Sequence, residues 1–222
     1  MSTYRLETRG LSKIFPGVVA LNNVSIGFGS GEVHGIVGEN GAGKSTLIMT
    51  LAGQYKPDEG EIRIDGEKIV FKNAQEAQAN GISVVFQELS LVPNLSIAEN
   101  IFANNQPMTK LGMVDWKKLW KMGEELLQSL QLDLNPHTPV QMLSSAKQQL
   151  VEILKAVSLK PRVLVLDEPT SSMTEFEIEK LFSLIRQLKD EGCTIIYISH
   201  HLKEILTLCD TVSILKDGCH VC

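Results

Sequence analysis

The spacing of apolar positions changes along the chain, and each change marks a different kind of element. Near the N-terminus, Arg5-Leu6-Glu7-Thr8 and Val24-Ser25-Ile26-Gly27-Phe28 alternate with the period of half-buried strands. Pro57-Asp58-Glu59-Gly60 is a turn feeding a further strand, Glu61-Ile62-Arg63-Ile64, closed by Asp65-Gly66. The middle of the chain takes a helical period. Ser96-Ile97-Ala98-Glu99 has the spacing of a capping box, and from Asp115 the apolar residues Trp116, Leu119, Trp120, Leu127 and Leu130 recur every three or four positions. The two tryptophans are expected in the core. The last third alternates strand and helix. Val163-Leu164-Val165-Leu166 and Thr194-Ile195-Ile196-Tyr197-Ile198-Ser199 are continuously apolar, as parallel strands covered on both faces are. Between them, Thr174 and Glu177 form a second capping box, and Ile178, Leu181, Phe182, Ile185 and Leu188 line one face of a helix that closes at Gly192. The pattern predicts an α/β core with a helical lobe inserted at roughly residues 90–160.

The apolar run Val33-His34-Gly35-Ile36-Val37 leads into Gly38-Glu39-Asn40-Gly41-Ala42-Gly43-Lys44-Ser45-Thr46, which fits G-x-x-x-x-G-K-[ST] at every required position. Ser45 to Ala52 then read as helix, stopped by Gly53. Strand, glycine loop and helix is the context this motif needs. Glycines let backbone N–H groups curl around phosphates, and the helix N-terminus adds its positive dipole end. Lys44 is expected to reach the β- and γ-phosphates, and the Ser45 hydroxyl to sit on Mg²⁺. The sequence therefore predicts a site for a nucleoside triphosphate.

With 21 basic and 26 acidic residues the 222-residue chain carries −5, so it has no overall basic footprint for nucleic acid, and none is expected as a partner. No apolar run approaches the ~20 residues that span a bilayer, and the N-terminal Met1 to Arg5 begins no secretory signal. A cytosolic chain is expected, any membrane role coming through a partner. Cys219-His220-Val221-Cys222 has a spacing that can hold zinc or exchange thiols but lacks a second ligand pair; Cys193 and Cys209 read as core or near-surface thiols.

Asp167 and Glu168 end one buried strand, where ligands of open α/β sheets gather. Asp167 is placed to hold Mg²⁺ through its water shell, and Glu168 to take a proton from an attacking water. His200 ends the next strand and can sense a γ-phosphate; strand register sends His201 to the opposite side. Gln87, after the apolar strand Ile82–Phe86, can ligate Mg²⁺ or orient water.

In this order, the phosphate loop, Phe86-Gln87, Leu143-Ser144 ahead of a helix, Leu166-Asp167-Glu168-Pro169-Thr170 and Ile198-Ser199-His200 resemble the ATP-binding cassette family over essentially the whole chain. Asp115-Trp116, His137 to Val140, Gln148 to Ile153 and Thr174 are similar to the ribose- and galactose-type monosaccharide importers in particular. The resemblance implies a P-loop NTPase fold: a mainly parallel sheet, an N-terminal antiparallel β subdomain and an inserted α-helical subdomain. It also implies ATP and Mg²⁺ as cofactors, Phe15 as the aromatic that stacks on adenine, and Ser144 as a group facing ATP held by an opposite cassette. Further implied are a second cassette, in tandem or as a dimer, and membrane permease subunits docked around Gln87-Glu88 and the helical lobe. A periplasmic or extracellular sugar-binding protein would act indirectly, with the chain peripheral at the cytoplasmic face of the membrane. In those importers one polypeptide usually carries two cassettes, and this chain resembles the first.

The family's signature loop is usually Leu-Ser-Gly-Gly-Gln or, in sugar importers, Leu-Ser-x-Gly-Gln, whereas this chain reads Leu143-Ser144-Ser145-Ala146-Lys147. Ala146 adds a methyl where close approach is wanted, and Lys147 a cation where the family has a neutral amide. This puts the partner's site in question and suggests an asymmetric pair of sites, with the one on Lys44 and Glu168 catalytic. Two other readings stand beside a transport ATPase. A soluble cassette ATPase acting on ribosomes or DNA usually adds basic arms or long coiled coils, which are not visible here. A regulatory module without turnover is suggested by the altered signature and opposed by Glu168 and His200.

Overall fold

The computed structural model describes residues 4–129 and 132–222. Met1, Ser2 and Thr3 of the N-terminal reading, and Leu130 of the helical one, lie outside the described residues. Contacts divide the chain into two compact units: residues up to Phe86 with Pro161–Glu168 and Ile185–Cys222, and Gln87–Lys160 with Pro169–Leu184. The second is larger than the expected lobe, because the segment 169–184 packs within it.

Two sheets build the first unit. Strands β1 (Tyr4–Phe15), β2 (Val18–Gly29), β4 (Glu59–Ile64) and β5 (Glu67–Ile69) form an antiparallel sheet in the order β2-β1-β4-β5. The alternating segments Arg5–Thr8 and Val24–Phe28 are the inner parts of β1 and β2, both longer than the sequence pattern suggested. Their extensions Ile14–Phe15 and Val18–Val19 pair across the tight Pro16-Gly17 connection, and Ile14, Val18 and Val19 are exposed, so burial could not announce them in the sequence. The second sheet has the order β10-β9-β3-β8-β7-β6, with β3 (Val33–Val37), β6 (Ile82–Val85), β7 (Val163–Asp167) and β8 (Thr194–Ile198) all parallel to their neighbours. Strand β9 (Thr211–Lys216) continues the parallel set, and the short β10 (Cys219–His220) turns back on it. Leu6, Phe28, Ile36, Leu47, Val165 and Ile198 share one core, each at most 1% exposed. Fully burying one such side chain contributes about 1.5–3 kcal/mol.

Helices α1 (Lys44–Leu51), α2 (Ala74–Ala79) and α7 (Leu202–Leu208) belong to this unit. The hairpin of β9 and β10 also answers the Cys219-x-x-Cys222 spacing. The ladder runs on to the end of the chain, Val221 N–H donating to Ile214 O and Ile214 N–H to Cys222 O. Cys219 and Cys222 are both free cysteines. Among the described residues no group of three His, Cys, Asp or Glu side chains is placed to hold a metal ion. Burial pushes the Cys193 thiol up to about 11 and the Cys209 thiol to about 12, so neither is a thiolate at neutral pH.

In the second unit, α3 (Ile97–Ile101) packs on α4 (Trp116–Ser129) and α5 (Ser145–Ser158). The capping box at Ser96 and Glu99 forms as its spacing predicts, each side chain bonding the other's backbone. Asn100, 2% exposed, ties the 92–96 loop to α3 by accepting from Val92 N–H and donating to the carbonyls of Leu95 and Ser96. The box at Thr174 and Glu177 forms too, opening α6 (Glu175–Asp190). The tryptophans depart from expectation. Leu119, Gly123 and Leu127 take the buried face of α4, so Trp116 at its first position is left 49% exposed. It stacks on Trp120 at 5.8 Å between ring centroids, and Trp120 lies 4.1 Å from His137.

Candidate functional site

The glycine loop leaves the C-terminal end of β3 and enters α1. Gly43 caps the helix with φ +100° and no side-chain bond, which leaves the first-turn N–H groups free of a side-chain cap. Two of its glycines are imposed by neighbouring backbone. A Cβ on Gly38 would lie 2.4 Å from Leu215 O, and one on Gly43 2.5 Å from Ala20 O. The turn between β9 and β10 supports the loop from behind: Gly218 N–H donates to Ala42 O, and Asn22 N–H to Gly218 O. Ala42 is 4% exposed and anchors the loop in the core, while Glu39, Asn40, Gly41 and Ser45 face outward. The Lys44 ammonium folds back over the loop, donating to the carbonyls of Gly38 (2.7 Å) and Glu39 (3.0 Å). Thr46 O accepts from the Thr50 hydroxyl one turn on.

Strand order brings three sequence-predicted groups to this end of the sheet. β8 lies between β3 and β7, with Asp167 level with Ile198, and Ile198 level with Ile36. Glu168 leaves β7 with φ +47°, a conformation that costs a non-glycine residue of order 1–3 kcal/mol and so has to be held by its surroundings. Its N–H is bonded to Ile198 O, and its Oε1 lies 3.2 Å from Nδ1 of His200. Burial, followed by the neighbouring Glu168 charge, raises the Asp167 pKa above the usual carboxylate value, and Lys44 opposes the shift. His201 corrects the register argument: β8 ends at Ile198, alternation ends with it, and the His200 and His201 rings lie 4.0 Å apart. His201 is the N-cap residue of α7, its N–H donating to Ser199 Oγ.

At the far end of β1, the half-buried Phe15 meets Tyr55 edge to face at 5.3 Å, with the Lys13 ammonium 5.5 Å from the Phe15 ring centroid. Sequence reading missed Tyr55, an isolated aromatic in a polar loop whose partner lies forty positions away. It equally missed the Leu215–Gly218 turn, which acts through backbone atoms alone.

Gln87 and Ser144 belong to the second unit. Gln87 is exposed on the bend after Phe86. Ser144 is the N-cap of α5, its hydroxyl accepting from Lys147 N–H at 3.4 Å. Ala146 is 5% exposed and helical, so its methyl is accommodated inside the unit, and the neighbouring Gln149 amide Nε2 is buried with no hydrogen-bond partner among the described residues.

Parallel strands, a phosphate-gripping loop into a helix and carboxyls at the adjacent strand end define a P-loop α/β domain. The family model described as ABC transporter matches residues 21–171, and the chain belongs to that family. It is 47% identical over 213 residues to the ribose import ATP-binding protein RbsA 1 of Streptomyces avermitilis, covering 96% of this chain and 41% of that protein. It is 48% identical over 219 residues to the galactose/methyl galactoside import ATP-binding protein MglA of Clostridium tetani, covering 97% of this chain and 44% of the relative. The chain thus spans less than half the length of these curated relatives. Among solved structures, the ADP conformation of MJ1267, an ATP-binding cassette of an ABC transporter, superposes with a TM-score of 0.86 at 27% identity, covering 99% of this chain and 90% of that one. The dimeric MJ0796 cassette gives 0.83 at 27% identity, covering 97% and 96%.

Proposed function

We propose that the chain binds ATP with Mg²⁺ and hydrolyses it as a nucleotide-binding cassette of a membrane sugar importer. The observation that carries the reading is the contact of Glu168 with His200 at strand ends beside the Lys44 loop. Sugar as the cargo class is supported by the import proteins to which nearly the whole chain is similar.

In this reading the loop amides and the α1 N-terminus hold the phosphates, and Lys44 exchanges its two carbonyl partners for phosphate oxygens. Glu168 takes the proton of a water that attacks the γ-phosphorus as the bond to the β-phosphate oxygen breaks, and His200 holds the Glu168 carboxylate in place. The Ser45 hydroxyl and the Asp167 carboxylate are hard oxygen donors that fit Mg²⁺, and a carboxylate made costly by burial favours a nearby dication. Mg²⁺, when bound, neutralises charge between the β- and γ-phosphates. For Gln87 as a further ligand, Phe15 beside adenine and Ser144 facing a second cassette's ATP, the support is the family resemblance.

The partners in this reading are a second cassette and permease subunits, which place the chain at the inner membrane face, with a sugar-binding protein acting through the permease. The altered signature residues Ala146 and Lys147 favour unequal sites in that pair. The test is phosphate release by the assembled transporter carrying Glu168→Gln. A fall of about 10²–10⁴ with ATP binding retained supports the reading; unchanged turnover contradicts it.

A further inference from the structure

We propose that the hairpin preceding α4 is an interfacial contact that docks on anionic lipid headgroups. Residues 107–115 fold on themselves: Asp115 N–H donates to Pro107 O, Thr109 N–H to Met113 O, and Met108 pairs with Val114. The turn puts apolar groups outward. Leu111 at the tip is 84% exposed, with Met113 at 61%, Met108 at 57% and Trp116 at 49%. Four large apolar side chains exposed within nine residues are a concentration of the kind that marks an interaction site.

The charge around this patch selects its occupant. The chain as a whole carries −5, yet Lys110, Lys117, Lys118 and Lys121 lie within or just after the hairpin. Lys110, Lys117 and Lys118 are exposed and form no ion pair among the described residues, while Lys121 shares its charge with Glu125 at 3.6 Å. The acid in the hairpin, Asp115, is engaged in capping α4 through Lys118 N–H. An apolar tip and an exposed tryptophan with exposed lysines beside them in the chain match the apolar boundary and negative surface of an anionic leaflet. This contact is direct, in contrast to the expectation that any membrane role comes through a partner, and it does not depend on hydrolysis.

Both tryptophans of the chain lie in this stack, so tryptophan fluorescence, excited at wavelengths the tyrosines do not absorb, reports on this site alone. Emission is followed while the chain is titrated with phosphatidylcholine vesicles containing phosphatidylglycerol, and with phosphatidylcholine alone. The expected result is a blue shift with the anionic vesicles only, weakened by salt and abolished by Leu111→Asp. Each change of Lys110 or Lys117 to glutamine should weaken partitioning about fivefold. Leu111 lies at an exposed tip, and an unchanged melting curve for Leu111→Asp ensures that lost binding is not lost folding. No shift with anionic vesicles, or an equal shift with both kinds, overturns the proposal and leaves the tip to a protein partner.

Discussion

Glu168 Oε1 stands 3.2 Å from His200 Nδ1, although thirty-two positions separate the two residues. Parallel pairing of β7 with β8 creates this proximity, since each residue follows the C-terminal end of its strand. In the proposed role of general base Glu168 needs a fixed direction as much as a suitable proton affinity, and its left-handed backbone with the N–H tied to Ile198 O supplies part of that fixation. Replacing His200 with alanine should therefore lower kcat of the assembled transporter by tenfold or more, within the range general-base contributions span. ATP affinity should stay within a few-fold, and single-turnover phosphate release beside equilibrium ATP binding separates the two effects.

The loop glycines should rank by what surrounds them. Gly38→Ala and Gly43→Ala push a methyl into backbone carbonyls, and overpacking of this kind costs about 1–3 kcal/mol, with the positive φ adding strain at Gly43. Gly41 has φ +84° but nothing within 4 Å of the added atom, so Gly41→Ala should cost only about 1–2 kcal/mol of backbone strain. Urea midpoints of the three variants check the order.

His34 gives the fold a pH dependence of definite sign. Its ring is buried against Phe28, with Nε2 at 2.9 Å from Ser213 Oγ and Nδ1 at 2.9 Å from Thr211 Oγ1 and 3.3 Å from Glu32. Burial lowers its pKa, outweighing the Glu32 carboxylate, which raises it; His220 pushes the same way as burial. The folded chain thus resists a proton that the unfolded chain accepts, so stability is full above the ordinary value of 6.5 and falls as pH drops below it. Urea midpoints at pH 7.5 and 5.5 should differ accordingly, and His34→Gln should shrink the difference.

Asp167 runs the opposite way. A carboxyl whose pKa is raised by folding weakens the fold once pH passes its unfolded value. Asp167→Asn should raise the melting temperature at neutral pH while weakening Mg²⁺-dependent ATP binding. A loss of stability in this variant would show that its charge is satisfied by contacts within the fold.

Much of this site was legible in the sequence because its parts are local. The phosphate loop sits between an apolar strand and a helix, and both capping boxes announce themselves within four residues. What escaped was non-local or carried by backbone. Tyr55 meets Phe15 through the hairpin of β1 and β2, and Gly218 supports Ala42 from the other end of the chain. The Trp116 error arose from a period that fitted the buried stripe, although that stripe is filled by Leu119, Gly123 and Leu127 one turn later. His201 was misplaced because alternation was carried one residue beyond the end of its strand.

The most direct test of the account is equilibrium binding of a fluorescent ATP analogue, with Mg²⁺, to this chain and to its Lys44→Ala variant. A charged hydrogen bond of about 1.5–3 kcal/mol predicts at least a tenfold loss of affinity in the variant, with its fold intact. Equal affinity for the two chains would mean that the triphosphate is not held by this loop.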